Sequence, residues 1–540
     1  MTEKSIIRLI SITMLISFGL IFSPFLIDSD PTIYFIIAKN MALHGHWLDL
    51  MTNYGPWLDK PHFPFWITAL SFKVFGFYSW SYVLPGFIFY ILGGVYTYKL
   101  AQLLYHHRGV ALLSLLIYLT TLRLMLSAID VRAEAYLLGE IMPACYYWFK
   151  YHEQTALKYL LLGAFFTGLA LMTKGLFVLV TIGSGMIVLW SVQKQWKHFV
   201  SIKWLSAVLL SFVFAIPEFI ALYAQFGVKG LQWFFFGSQF GRFFDTGRIV
   251  KHHGDASFFI QTFMWAFVPW TLIFIASLWS VFKKYKLFSV ADKNAVIYLA
   301  GSFFIPFVMF SVTPFKMDYY TNIIFPFAAI LSARYLHGLI EQSKKHVIFT
   351  IQIMISVALV IFVMGLVMVV SVKKDMPFMM INVLPCALLV YMWMSRHYFA
   401  RSEKAIIYSV LSINSGFLIL SLIQTIVASQ FSPGYMIAKA INRQPLQLPV
   451  YEYQQEGNLS VYLKGGNARE VSEVSQLPLQ SSYYLVANSA ELPLAMILKK
   501  WPDARILAKQ ESLKLSQFNR RVFLGGPVTA PDYYVLVKIN

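Results

Sequence analysis

The chain is built around apolar stretches long enough to cross a lipid bilayer, and this limits its folds more than any other feature. A helix rises about 1.5 Å per residue, so about 20 apolar residues span the hydrocarbon layer. After Lys4 and Arg8, one such run extends to about Ile27. Others follow at about 78–100, 109–129, 133–150, 157–173, 175–193, 203–224, 257–282, 294–313, 320–340, 346–372, 376–396 and 404–428. Roughly thirteen transmembrane helices are therefore expected. The first run lacks a small-residue cleavage site before Asp28, so it reads as a membrane helix rather than a removed signal peptide. Charged residues make up 13% of the chain and hydrophobic ones 58%. Soluble globular proteins carry about 25% charged residues. A charge density this low cannot cover a water-soluble surface, and an apolar content this high excludes disorder.

The formal charge is +19. Its distribution decides between a polyanionic partner and membrane topology. With the N-terminus in the cytoplasm, the segments Lys99 to Arg108, Lys150 to Lys158, Lys194 to Lys203, Lys283 to Lys293, Arg334 to Lys345 and Arg396 to Lys404 all fall inside. Each is short and basic, which is the positive-inside bias. No single basic patch remains for a nucleic acid. An odd number of crossings then places the C-terminal region outside.

After about Ser432 the composition becomes polar. Residues 433–540 are expected to form a small α/β extracytoplasmic domain, and 1–432 the membrane domain. Alternation predicts strands at Val450–Tyr453, Leu459–Leu463, Tyr483–Val486 and Tyr533–Lys538. A helix capped by Ser489 is predicted to run to Trp501. Cys145 and Cys386 both sit in apolar runs and read as buried thiols without a disulfide.

The chemistry concentrates on the outer side. The first outer loop, about 28–77, is far longer than the 2–8 residues typical between bundle helices. It holds Asp28 and Asp30, an amphipathic segment to about Gly45, and Asp59, Lys60 and His62 among tryptophans. Asp130 and Glu134, four residues apart, would share a face if their turn is helical, with Arg132 between them as a local partner. Lys174 stands where two apolar runs meet. A second outer loop, about 225–257, carries Arg242, Asp245, Arg248, Lys251, His252, His253 and Asp255. Lys316 and Asp318 precede Tyr320 in a further outer turn. Ionisable side chains at membrane depth are costly and mark function. Acids at Asp30, Asp130 and Glu134 with cations at Lys60, Lys174, Arg242 and Lys316 suit an anionic lipid head group held by Lys and Arg, beside carboxylates that act on an acceptor.

At these residues the chain resembles the GT-C glycosyltransferases of the protein O-mannosyltransferase and aminoarabinose-lipid A transferase type. Asp30, Thr32 and Tyr34 match the family's Asp-Glu-Thr-Arg-Tyr, with Pro31 in place of the second acid. Leu58 to Trp66 resembles its Phe-Glu-Lys-Pro-Pro-x-x-Tyr-Trp, with Asp59 for Glu and Lys60 kept. Met172, Thr173, Lys174 and Gly175 repeat its Met-Thr-Lys-Gly. Lys316 and Tyr320 match its Gly-Lys-Leu-Pro-Thr-Tyr. The stretch Trp233 to Phe244 with His253, Pro269 and Trp270 resembles another outer loop of the family.

The resemblance implies an all-α polytopic GT-C membrane protein with the small α/β domain appended. It implies an inverting enzyme of the bacterial inner membrane, facing the periplasm, whose donor is an undecaprenyl-phosphate-linked sugar and whose acceptor is lipid A or a related lipopolysaccharide. A protein or glycan acceptor stays open, and a transporter of lipid-linked substrates is the alternative of another class. Asp30, Asp130 and Glu134 are the expected catalytic acids. Lys60, Lys174, Arg242, Lys316 and Tyr320 are expected at the donor phosphate. No cofactor is certain; Asp59 and His253 match positions that can hold a divalent metal, Zn or Mg.

Overall fold

A computed structural model describes residues 2–22, 29–53, 55–237, 257–342, 346–372, 382–453, 459–478, 481–489, 491–511 and 533–539. Most of them are helical, and the protein is a multi-pass membrane protein. By length and composition, six described helices cross a membrane: Ser79–Tyr105, Leu157–Lys174, Val290–Val312, Asp318–Glu341, Val347–Met368 and Arg401–Ile423. Two bent pairs raise this to eight. Ile202–Phe214 and Ile216–Phe226 meet at 47°, and Phe258–Ala266 and Thr271–Leu287 at 114°. The other expected stretches also carry helices, but these are shorter or interrupted. The run at 109–129 splits into Arg108–Leu119 and Leu122–Ser127. Ala133–Gln154 is long, but it contains Glu134 and Glu140.

We label the elements that build the outer end: α1 (Glu3–Leu20), α2 (Ser29–His44), α3 (Phe63–Phe75), α4 (Ser79–Tyr105), α5 (Arg108–Leu119), α6 (Leu122–Ser127), α7 (Ala133–Gln154), α8 (Leu157–Lys174), α9 (Phe177–Val192), α10 (Ile202–Phe214) and α11 (Ile216–Phe226). Small residues let these helices approach closely, as they do in membranes generally. A Cβ on Gly93 of α4 would stand 2.7 Å from the Leu138 carbonyl oxygen of α7.

The first outer loop folds into α2, a short hairpin of β1 (Met51–Thr52) and β2 (Gly55–Pro56), and α3. The segment expected to be amphipathic is α2, and it is buried around most of its girth, with Tyr34, Phe35, Ile36, Ile37, Ala38, Met41 and Ala42 all inside. The reason is that the C-terminal domain covers the side that would otherwise meet water.

Several of the short basic segments pair with one another and with the N-terminal helix. Arg108 meets Glu3 at 3.5 Å, Arg334 Nε donates to Asp292 at 3.1 Å, and Lys203 Nζ donates to Thr155 at 2.7 Å.

The C-terminal sheet contains β3 (Val450–Tyr453), β4 (Arg469–Val471), β5 (Tyr483–Asn488), β6 (Arg505–Glu511) and β7 (Tyr533–Ile539), in the order β4-β3-β5-β7-β6. β3 runs parallel to β4 and β5, while β7 is antiparallel to β5 and β6. Three of the expected strands are present. Leu459–Leu463 is instead a short helix, Leu459–Tyr462, packed under Ile437, Ala438 and Ile441. The later helix starts at Leu494 behind Pro493, not at Ser489. Cys145 is buried, but Cys386 is exposed on its helix, with Met364 sulfur 3.6 Å away.

Lys39 fastens the two parts. Its ammonium donates to the carbonyls of Ser460 and Leu463, both at 2.9 Å, and of Gly466 at 3.3 Å. Burial pushes this amine down to about 7. The undocked lysine binds a proton more tightly than the docked one, so docking strengthens as pH rises from about 7 toward the ordinary lysine value near 10.4. The protection of the amides across 459–468, taken as the intrinsic exchange rate over the observed one, is expected to rise over that window in the wild type. In Lys39→Met protection is lower throughout and loses this pH dependence.

Candidate active site

Asp30 sits in the first turn of α2, where unpaired amides and the helix dipole favour a carboxylate. Tyr319 O–H donates to Asp30 Oδ2 at 3.0 Å, and Arg132 Nη1 is 3.6 Å from the same oxygen. Arg132 Nε also donates to Asp130 Oδ2 at 3.1 Å, and its guanidinium lies 4.4 Å from the centre of the Tyr319 ring. One arginine thus bridges two of the expected acids. Arg132 is extended and α7 begins only at Ala133, so Asp130 and Glu134 do not share a helix face. They diverge at that cap, one toward Arg132 and the other toward α8.

Glu134 pairs with Lys174, and both are buried. Lys174 is the last residue of α8, and Gly175 follows at φ +85°. That left-handed turn suits glycine and lets the chain leave the helix just after the lysine, which accounts for the Thr-Lys-Gly pattern. Lys174 Nζ also lies 4.3 Å from the centre of the Tyr320 ring. One residue earlier, Thr173 Oγ1 donates to Glu140 Oε1 at 2.7 Å. Lys60 pairs with its neighbour Asp59. Burial pushes the Tyr34 phenol well above its ordinary range, and the charges of Asp30, Asp59 and Glu134 push it further, so all three carboxylates act on this one group. Lys316 is buried next to Phe315, whose ring centre is 6.2 Å from that of Tyr320. Arg242, His253 and Asp28 lie outside the described residues.

Sequence reasoning missed several partners. Arg123 sits inside an apolar run and pairs with Asp318 at 3.2 Å. Tyr319 carries the hydrogen bond to Asp30, although its neighbour Tyr320 drew the attention. Glu218, in α11, meets His62: the His62 amide donates to Glu218 Oε2 at 2.8 Å, and Nδ1 lies 3.0 Å from Oε1. A lone charge in a spanning stretch was the available signal for both Arg123 and Glu218.

Charge pairing sets what the site can do. Lys60, Arg123, Arg132 and Lys174 each have a carboxylate partner. An anion that engages one of these four cations must displace its carboxylate. Side-chain exposure is 47% for Asp59 and 2% for Glu134. Asp59 is the carboxylate that water can take over, so Lys60 is the cation most readily offered to a phosphate. Of the two expected metal ligands, Asp59 faces the Lys60 ammonium and His253 lies outside the described residues. The one described trio of possible ligands, His107, His337 and Glu341, lies among the basic loops instead.

The family described as dolichyl-phosphate-mannose-protein mannosyltransferase matches residues 59–220. The chain is 25% identical over 358 residues to the undecaprenyl phosphate-alpha-4-amino-4-deoxy-L-arabinose arabinosyl transferase 2 of Proteus mirabilis. That match covers 65% of this chain and 63% of the relative. A transferase of the same description from an Enterobacter species is 25% identical over 63% of this chain and 61% of its own. The chain thus spans somewhat less than two thirds of these curated relatives. Crystal structures of ArnT from Cupriavidus metallidurans, in the apo state and bound to undecaprenyl phosphate, superpose with a TM-score of 0.72. The apo structure is 16% identical, with 99% of this chain and 98% of that one covered. The fold is therefore the same along nearly the whole chain.

Proposed function

We propose that this GT-C glycosyltransferase of the aminoarabinose-lipid A transferase type moves a sugar from an undecaprenyl-phosphate carrier to lipid A, working on the side of the inner membrane opposite its basic loops. The sugar we assign is a 4-amino-4-deoxy-L-arabinose, the one in the names of its relatives. The positive-inside bias orients the N-terminus to the cytoplasm and the domain at 433–540 to the periplasm.

One observation carries the reading: carboxylates and cations from separate segments of the chain meet at the start of α2. Asp30 and Asp130 share Arg132, which also stacks on Tyr319, the hydrogen-bond donor to Asp30, and the charges of Asp30, Asp59 and Glu134 all act on Tyr34. In the reaction, an oxygen of the lipid A phosphate attacks the anomeric carbon. The bond from that carbon to the carrier phosphate breaks, and its electron pair leaves on the phosphate oxygen. The attacking oxygen is already anionic, so no proton must be removed. A single displacement inverts the centre without the nucleophilic carboxylate of a retaining enzyme.

Lys60 stabilises the departing phosphate, with Lys174, Lys316 and Tyr320 around it; Arg242 joins this set on the family resemblance alone. Asp30 uses one oxygen to accept from Tyr319 and face Arg132, while its Oδ1 has no hydrogen-bond partner among the described residues. That oxygen receives the amino group of the sugar. Asp130 and Glu134 hold Arg132 and Lys174 in place.

Mass spectrometry of lipid A from a deletion strain tests the assignment. We expect loss of one amino-sugar mass, restored by the wild-type chain. Lys60→Ala, at matched expression, should fall short by about 10²–10³-fold in transfer rate. Unchanged lipid A with altered glycoproteins or glycans would move the acceptor to those classes.

A further inference from the structure

A cavity of about 510 Å³ opens between the first outer loop and the C-terminal domain. One wall carries Asn40 and His44 of α2 and Asn53 of the hairpin. The other carries Asn467 and Arg469 at the start of β4. The walls are fixed to each other. Asn467 Nδ2 donates to Asn40 Oδ1 at 2.7 Å, Asn40 Nδ2 donates to the Met51 carbonyl at 2.8 Å, and Asn53 Nδ2 donates to Ser460 Oγ at 3.1 Å. The Lys39 contacts lie just behind. The cavity is thus a built space between two clamped parts.

Its chemistry differs from that of the reacting site. The lining mixes the amides of Asn40, Asn53 and Asn467 with Met41 and Met51, and carries His44, His46 and Asp49 at the loop side and Arg469 opposite. His46 and Asp49 stand 3.6 Å apart. Neither sign of charge dominates. One atom is left over: Asn467 Oδ1 is buried and has no hydrogen-bond partner among the described residues. A ligand hydroxyl reaches that oxygen only when the Asn467 amide turns toward the cavity, and the turn gives a buried acceptor its donor. Distance supplies the last constraint. From Asp30 to His44 the helix rises about 21 Å. A ligand that reaches both places extends well beyond the sugar being transferred.

We infer that this cavity is a saccharide subsite, which holds the outer, hydroxyl-rich sugars of an extended glycolipid acceptor while its reacting end lies near Asp30. The inference rests on the proposed function for the identity of the acceptor. It rests on the cavity alone for the class of ligand.

Two measurements test it. In the first, transfer is assayed with lipopolysaccharide that carries its core oligosaccharide and with lipid A that lacks it. Arg469→Ala and Asn467→Leu are expected to raise the KM for the longer acceptor by about tenfold, leaving the KM for the donor and for bare lipid A unchanged. An equal loss with both acceptors would mean that the cavity only supports the fold, and would overturn the proposal. In the second, the soluble core oligosaccharide is added to the full-length protein in detergent, and binding is read by saturation-transfer NMR. Binding to the wild type and its loss in Asn467→Leu supports the subsite even where no transfer to lipid A is seen, which would instead defeat the proposed function. Absence of binding to the wild type overturns the subsite while leaving the transfer assay to stand by itself.

Discussion

Lys174→Met is expected to lower stability by about 3–5 kcal/mol, because it leaves the Glu134 carboxylate buried without its counterion. Glu134 is almost wholly inside, and Lys174 is its ion-pair partner. Glu134→Gln should be costly too, since it leaves an ammonium without a carboxylate in the same interior. The informative variant is the double one, Glu134→Gln with Lys174→Met. It removes both charges and should recover most of the thermal stability lost by either single change. Activity should not follow. If Lys174 contributes to the departing phosphate, transfer by the double variant stays down by about 10²-fold, the loss usual for one electrostatic donor. Thermal unfolding and transfer, measured on the same preparations, separate the two roles. Recovery of both together would show that Lys174 serves the fold alone.

The membrane character of the chain was legible because each spanning run is a local property of about 20 residues. Where crossings end was less legible. The 109–129 run reads as continuous, yet it breaks between α5 and α6, and Arg123 emerges at the break to pair with Asp318. Nothing local to that run reports an acid almost two hundred positions away. The same limit applies to α2, which reads as half-exposed until the C-terminal domain and its contact with Lys39 are known. Leu459–Leu463 alternates like a strand but forms a helical turn, because its side chains pack beneath Ile437 and Ala438. Individual site residues were visible as costly charges in apolar surroundings: Asp30, Lys60, Asp130, Glu134, Lys174 and Lys316. Their pairing was not, since a lysine between two apolar runs does not disclose which carboxylate it meets. Tyr319 and Tyr320 illustrate the point. Both stand in the same short turn, and only the three-dimensional arrangement gives Asp30 to the first and Lys174 to the second.

Glu218→Ala should be among the most damaging single substitutions in the molecule, although Glu218 lies on none of the motifs. Its carboxylate accepts from the His62 backbone amide and faces the His62 ring, and both side chains are completely buried. The other ring nitrogen lies 3.1 Å from the Leu48 carbonyl. Both ring nitrogens thus meet oxygen atoms, so the ring is held at each end. Removing the carboxylate leaves the buried ring and an amide without their acceptor, at a cost of about 3–5 kcal/mol. The damage reaches the reaction through Lys60, two residues before His62. The histidine anchors that turn to α11, whose start at a 47° bend sets where the anchor stands. Transfer by any surviving Glu218→Ala protein should therefore fall with the affinity for the carrier phosphate, and not with affinity for the acceptor. The rescue is specific. His62 has φ −77°, close to the value proline imposes, and proline has no amide hydrogen to leave unsatisfied. The double variant His62→Pro with Glu218→Leu removes donor and acceptor together and should regain most of the lost stability. If it melts no higher than Glu218→Ala, the pair is not what fixes the turn, and the position of Lys60 must depend on the aromatic packing of Trp57, Phe65 and Tyr34 instead.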